Sequence, residues 1–197
     1  MNFDYSDEVR AMADSLARAL EAACPPAEVR ACLETGRVSA ASWTAMAELG
    51  VLGASVPEAD GGAGLSLLEL AACAEVIGRA CAPVPMLGSV YLATEALVRG
   101  GNAAQRARWL APLASGTAFG CAALHPQGLR VDGSGRCEGV APQVIGPELA
   151  QVMVLIQEQD VWLVDLAQPG VRRAALPVID PGLALTRIEL HGVAAQA

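Results

Sequence analysis

Residues 43–81, from Trp43 to Cys81, constrain the fold of this chain more than any other stretch. The apolar residues at its start follow a helical period and stop at Gly50, a residue typical of a helix end. A loop rich in glycine then runs from Gly61 to Gly64, and we call these four residues the glycine loop. Ser66 and the carboxylate three residues later have the spacing of a capping box, which starts a new helix. The stretch therefore predicts a helix, a glycine loop and a second helix.

Helical signals continue on both sides of this stretch, up to about Ser115. Ser6 can cap a first helix whose apolar residues recur at spacings of three and four. Pro25 and Pro26 either stop that helix or restart the chain at the first turn of the next one. The other expected helices cover residues 27–34, 40–49, 66–81 and 89–98, with a last one opened by Asn102 and Gln105.

After Ser115 the pattern changes to short apolar or β-branched segments separated by Gly, Pro and Asp, as is typical of strands. Asp132-Gly133-Ser134-Gly135 predicts a hairpin turn, and a phosphate-binding loop is disfavoured because a strand follows instead of a helix. We therefore predict an α+β fold, with an amino-terminal helical bundle over residues 1–115 and a small antiparallel β-barrel or sandwich over residues 116–197. The expected strands cover residues 119–124, 136–140, 151–157, 161–166 and 185–190.

The charge of the chain excludes several classes of partner. Its 13 basic residues, all of them Arg, face 21 acidic residues, which gives a net charge of -8. A stripe of basic residues that could bind nucleic acid or an anionic membrane is missing. The acidic, polar amino terminus does not resemble a signal peptide, and no apolar segment is long enough for a membrane span. We expect a cytoplasmic protein without nucleic-acid or membrane partners.

The cysteines do not indicate a metal site. They include no CxxC pair, and no His lies near them at the spacing of zinc ligands. In a reducing compartment such thiols mostly behave as small buried apolar groups. We apply this interpretation to all six: Cys24, Cys32, Cys73, Cys81, Cys121 and Cys137.

The stretch from Trp43 to Cys81, with the segment PEADGGAG before an acidic helix, resembles the amino-terminal domain of the flavin-dependent acyl-CoA dehydrogenases. The order of helices and then strands is similar to the first two domains of that family over nearly the whole chain. The resemblance implies FAD, an acyl-CoA substrate and dehydrogenation at the α and β carbons. Members continue with a four-helix bundle that carries the catalytic glutamate in the commonest members, whereas this sequence stops near His191-Gly192-Val193, where the middle domain would end.

The resemblance also implies flavin contacts, and several of these are altered. The family's first middle-domain strand ends in Thr-Glu-Pro; here Pro126 matches, but Leu124 and His125 replace the Thr and the Glu. The Gly-Ser-Asp segment that follows in the family is missing. Backbone contacts from Ala122, Ala123, Leu124 and His125 would still be available to a flavin. The Lys, Trp and Thr that a later family strand carries are replaced by Ala141, Gln143 and Ile145.

No residue is assigned as the catalytic base. The reaction needs a carboxylate in a dry pocket, where burial raises its pKa toward neutrality. Glu58 lies in a surface-like turn, and Glu69 and Glu75 are better explained by helix capping and solvation. His125 is a less favoured candidate for a base or a flavin partner, because a lone His beside Pro in a loop is more often structural. Core or interface packing is likewise favoured over ligand stacking for Trp43, Trp109 and Trp162.

These departures predict a degenerate or partial subunit of an FAD-dependent acyl-CoA dehydrogenase. In some members, particularly those acting on bulky steroid-derived CoA esters, a catalytic subunit pairs with one that has lost active-site residues. Such a chain would supply pocket and interface, while its partner supplies the base and the flavin contacts. Two alternatives remain: a non-catalytic acyl-CoA-binding or scaffolding module, and a truncated product of a longer dehydrogenase, whose exposed apolar side would associate with itself or another chain.

Overall fold

The computed structural model describes residues 4–123, 128–146, 148–157 and 160–197. The first part of the chain is helical, and its helices follow one another with short connections. A π-helix, Leu87–Thr94, continues directly into α5. The α-helices are α1 (Asp7–Ala23), α2 (Pro26–Thr35), α3 (Ala40–Glu48), α4 (Leu67–Arg79), α5 (Glu95–Gly100) and α6 (Ala103–Ala114).

Side-chain caps set the starts of several of these helices, as the sequence predicts. The Ser6 hydroxyl accepts from the Val9 backbone N–H at the start of α1. The backbone N–H of Ser66 donates to the Glu69 carboxylate over 2.8 Å, which confirms the capping box of α4. A second capping box, between Asn102 and Gln105, opens α6. Because each cap satisfies donors that the first turn leaves free, these boundaries can be read from local sequence.

The glycine loop folds back on the chain that precedes it. The Gly64 backbone N–H donates to the Val56 carbonyl over 2.8 Å. A Cβ on Gly62 would lie 2.2 Å from that same carbonyl oxygen, so only glycine fits there. Asp60, just before the loop, forms a largely buried ion pair with Arg106 of α6. The loop is therefore a structural connection between the early helices and α6.

The π-helix departs from the regular helix expected over residues 89–98. The Glu95 backbone N–H donates to the Val90 carbonyl, five residues back, which is the π spacing, and the Thr94 hydroxyl donates over 2.9 Å to the Ser89 carbonyl. The Ser89 hydroxyl in turn accepts from the backbone N–H of Gly120, the first residue of the sheet. The irregular turn is thus coupled to a tertiary contact that lies outside the local sequence pattern.

The described residues of the second part form one curled, seven-stranded sheet, which confirms the α+β fold class. Its strand order is β1-β4-β5-β7-β3-β2, and β6 pairs with β7 outside this path. All pairs are antiparallel except β1 with β4, which run parallel, so the sheet is mixed where a purely antiparallel one was expected. The strands are β1 (Gly120–Ala123), β2 (Leu129–Val131), β3 (Arg136–Ile145), β4 (Val152–Gln157), β5 (Asp160–Asp165), β6 (Val171–Ala175) and β7 (Leu185–Gln196).

Two strands, β2 and β6, were not predicted. β2 is three residues long, and the residues of β6 are mostly exposed, so neither shows the apolar alternation of a half-buried strand. The turn that joins β2 to β3 is the predicted one. The Asp132 carboxylate accepts from the backbone N–H groups of Ser134, over 2.8 Å, and Arg136, over 3.0 Å.

The helices and the sheet share part of their core. One apolar cluster joins Leu97 and Leu110 of the helices to Val154 and Leu163 of the sheet. Gln105, which is 4% exposed, adds polar contacts, because its side-chain amide donates to two backbone carbonyls of the sheet. The last helix ends before the first strand begins, but the division into domains 1–115 and 116–197 stays a prediction.

The helices of the described residues are all too short or too polar to cross a bilayer.

Candidate functional site

A cavity of about 530 Å³ lies between the helical part and the sheet. Its helical side consists of the turn between α2 and α3, α3 itself, and the chain between α4 and the π-helix. Its sheet side consists of the residue before β1, the end of β3 and the loop that enters β7. The lining is largely apolar and includes Val38, Trp43, Val84, Leu87, Phe119 and Leu183.

Two aromatic rings from distant parts of the sequence stack in this lining, and we call them the aromatic wall. The ring centroids of Trp43 and Phe119 lie 4.9 Å apart with an interplanar angle of 27°. Trp43 is 6% exposed, and its indole N–H donates to the Gly116 carbonyl over 2.9 Å. The core packing predicted for Trp43 is therefore confirmed, but the same residue also lines the cavity. Neither this second role of Trp43 nor the position of Phe119 in the lining was predicted from the sequence.

The charged residues of the lining lie where the cavity meets solvent. Arg37 and Glu148 are both exposed. The Arg37 Nε–H donates to the Thr35 hydroxyl over 3.1 Å, while the Glu148 backbone carbonyl accepts from Arg173. The arrangement suits a ligand that buries an apolar group and keeps its charged end at the rim.

Within the described ranges, strand β1 is buried and has no strand partner on the edge opposite β4, which leaves that edge as the place for a backbone contact with a flavin. The Gly120 N–H points to Ser89 rather than to β4, which pairs with β1 on the other side. Because backbone groups alternate along a strand, those of Ala122 face the same way as those of Gly120, and those of Ala123 face β4. Leu124 and His125 lie outside the described residues. The four backbone contacts stay predictions, and of the described residues Ala122 fits such a contact best.

The later strand offers a flavin little polar side-chain surface. Ala141 is buried inside the sheet, Gln143 is exposed, and Ile145 lines the cavity. Neither Ala141 nor Ile145 carries a hydrogen-bonding side chain. At these positions the chain therefore presents backbone and apolar surface, and it lacks the hydroxyl that the family resemblance implies.

The glutamates considered for catalysis lie at the surface. Glu58 is exposed, and Glu75 is exposed and pairs with Arg79 over 2.9 Å. The Ser66 hydroxyl donates to the Glu69 carboxylate and holds the pKa of Glu69 below its usual value, the opposite of what a base in a dry pocket needs. Within the described ranges, no group of three His, Cys, Asp or Glu side chains could hold a metal ion.

The cysteines differ in burial, with Cys81 exposed and the other five buried and free. Burial raises the pKa of the Cys73 thiol to about 11, with a smaller contribution from Glu69. It also raises the pKa of Cys137 to about 11. Thiols are nucleophilic as thiolates, so these buried groups are protected by their protonation as well as by their packing.

We therefore expect one rapidly reacting thiol in the folded chain. Ellman's reagent at a pH of about 8 should modify Cys81 quickly and the buried thiols only as the chain unfolds. Cys81→Ser should remove the fast phase, whereas in denaturant all six thiols of the unmodified chain should react. Two or more fast thiols in the native chain would contradict the burial described above.

One protein-family model matches most of the helical part of this chain. The family model "Acyl-CoA dehydrogenase, N-terminal domain" matches residues 6–117, more than half of the chain. The chain belongs to the acyl-CoA dehydrogenase family. This is a family of flavoprotein oxidoreductases, so the resemblance seen in the segment PEADGGAG is confirmed.

This acyl-CoA dehydrogenase homologue is similar to the following proteins, among others. Acyl-CoA dehydrogenase FadE27 of Mycobacterium tuberculosis is 29% identical over 210 residues, covering 100% of this chain and 56% of FadE27. The crystal structure of the ChsE4–ChsE5 complex from Mycobacterium tuberculosis matches with a TM-score of 0.89 and 27% identity, over 100% of this chain and 57% of that one. The Tcur3481–Tcur3483 steroid ACAD variant matches with a TM-score of 0.84 and 26% identity, over 97% and 56%. The chain thus spans about half the length of these relatives.

Proposed function

We propose that this chain is a partial subunit of an FAD-dependent acyl-CoA dehydrogenase that builds an acyl pocket and a subunit interface. In this proposal a partner chain supplies the catalytic base and the side-chain contacts to the flavin. The observation that carries it is the apolar cavity beside Ile145, whose charged lining residues, Arg37 and Glu148, lie at the rim. Such a cavity can hold an acyl group but offers no carboxylate in a dry environment to take its α proton.

The similarity to two-component complexes supports the assignment of a partner. The ChsE4–ChsE5 structure is a complex of two named components, and so is the Tcur3481–Tcur3483 steroid ACAD. We infer a bulky or steroid-derived acyl group for this chain as well. A volume of about 530 Å³ falls in the range of roughly 300–1,000 Å³ that small-molecule pockets occupy.

In this proposal the steps of the reaction are shared among this chain, FAD and a partner chain. FAD, when bound, supplies the acceptor for the hydride that leaves the β carbon. The residues of this chain would orient the acyl group and exclude water from it through the cavity lining. The unpaired edge of β1 at Ala122 would contact the flavin through its backbone. The carboxylate that takes the α proton would come from outside the 197 residues.

A second candidate function is an acyl-CoA-binding module that works without a flavin. It is favoured by the same preformed cavity, because binding an acyl group needs neither the base nor the flavin contacts. The two candidates differ in what they require. The module would bind an acyl-CoA without any partner and would show no redox activity in any complex.

Co-expression with any acyl-CoA dehydrogenase-type chain that its genomic neighbours encode tests the proposal. We expect a complex that reduces an artificial electron acceptor when an acyl-CoA is added, and no such activity from either chain alone. The reason is that the pocket and the base lie on different chains. Full activity of this chain by itself, or a partner that needs no help from it, would contradict the proposal.

A further inference from the structure

We propose that the aromatic wall determines which acyl groups the cavity accepts, and that it favours flat fused-ring groups over flexible linear chains. The inference rests on the proposed function, because it takes the cavity to be an acyl pocket. It adds a specificity role for two residues, Trp43 and Phe119.

The Trp43 side of the wall is fixed in place. Its indole N–H is held by the Gly116 carbonyl over 2.9 Å. Gly116 has a φ of 72°, and a Cβ there would lie 2.8 Å from Trp43 Nε1, so the backbone approaches the ring closely. Because the N–H is already paired and the side chain is only 6% exposed, Trp43 serves mainly as the rigid support on which the Phe119 ring stacks.

The Phe119 side is anchored through its backbone. The Phe119 N–H donates to the Gln151 side chain over 2.7 Å, and its carbonyl accepts from the Gln151 N–H over 2.9 Å. The ring stacks on Trp43 and is only partly buried, so part of it remains open to the cavity. Both rings are therefore presented in one orientation before any ligand arrives.

The rest of the lining is also stiff. Pro83, Pro85 and Pro181 contribute to it, and the proline ring fixes φ at each of them. A preformed cavity of this kind gains most from a ligand that is itself rigid, because a flexible chain loses rotational freedom when it is bound. The flat face of a fused-ring group can also lie against the part of the Phe119 ring that remains open to the cavity.

The wall lies away from the predicted flavin contact. Phe119 and Ala122 are three residues apart along extended chain, which is about 10 Å at the rise of a strand. The part of the acyl group beside the wall is therefore remote from the reacting carbons. Selection by the wall should appear in binding affinity, without a change in the chemistry.

The test compares two acyl probes on the full chain by isothermal titration calorimetry. We expect the unmodified chain to bind 5α-cholanoyl-CoA, whose trans-fused rings are flat, at least tenfold more tightly than octadecanoyl-CoA. Phe119→Leu keeps an apolar side chain but removes the ring, and it should reduce this ratio about threefold to tenfold. Trp162→Leu removes an aromatic ring that packs against the core of the sheet, and it should leave the ratio unchanged.

The outcomes distinguish a failure of this inference from a failure of the proposed function. If both probes bind equally well, or if Phe119→Leu leaves the ratio unchanged, the inference is overturned while the acyl pocket stands. If neither probe binds, the inference falls together with the proposed function. Phe119→Met also removes the ring. It replaces Phe119→Leu in the binding comparison if circular dichroism shows that Phe119→Leu does not fold.

Discussion

Gly62→Ala should lower the free energy of unfolding by about 3 kcal/mol. The added Cβ would lie 2.2 Å from the Val56 carbonyl oxygen and 2.6 Å from the Gly53 carbonyl oxygen. Both atoms belong to backbone that accepts hydrogen bonds from the glycine loop, namely from Gly64 and Ala63, so neither can move without breaking the loop. Urea denaturation of the purified chain, followed by circular dichroism, measures the change.

Gly78→Ala is the matched control. Gly78 lies inside α4, and a Cβ there would meet nothing within 4 Å. Alanine is favoured over glycine inside a helix by about 1 kcal/mol, so this variant should be slightly stabilised. Similar stabilities for the two alanine variants would contradict the close packing of the glycine loop.

Gln105→Ala should also cost about 3 kcal/mol, because it removes several contacts at once. The Gln105 amide donates to the carbonyls of Val161 and Gln196, each over 3.0 Å, and its oxygen accepts from the Asn102 N–H. Without the side chain, the two carbonyls and the Asn102 N–H lose their hydrogen-bond partner in a largely buried region, and the capping box of α6 is lost. Urea denaturation again measures the change.

Gln143→Ala provides the comparison for this second substitution. Gln143 lies exposed on β3, so its replacement should change stability by less than about 0.5 kcal/mol. A small effect at both glutamines would mean that Gln105 does not join the helices to the sheet.

Local signals were sufficient for most of the helical part. The capping boxes at Ser66 and Asn102 involve residues three apart, so their hydrogen bonds can be predicted from a short stretch of sequence. The same holds for the turn at Asp132, whose carboxylate binds the backbone within four residues. Elements of this kind could be predicted because their stabilising partners are neighbours in the chain.

Other elements depend on partners far away in the sequence. The π-helix is coupled to the sheet through the hydrogen bond between Ser89 and Gly120. Among the described residues, strand β6 pairs with β7 alone. Because these partners are distant in sequence, neither element shows a strong local sequence pattern. The parallel pairing of β1 with β4 is likewise a property of the whole sheet. These features needed the structure, because no short window of sequence contains both partners.

The site was only partly predictable for the same reason. The family resemblance pointed to Ala122 and to the altered residue Ile145. Among the described residues, the structure places the first on a strand edge without a strand partner and the second beside the cavity. The aromatic wall could not be foreseen, because Trp43 and Phe119 belong to different parts of the chain and stack only after folding. A lone Trp in a helix gives no sign that it lines a pocket.

The flavin content of the co-expressed complex tests the central claim most directly. The proposal assigns this chain a pocket and a backbone edge but leaves the side-chain contacts to flavin with the partner. We therefore expect yellow flavin absorbance from the purified complex and none from the isolated chain. Flavin bound stoichiometrically by the isolated chain would contradict the claim that it is a partial subunit.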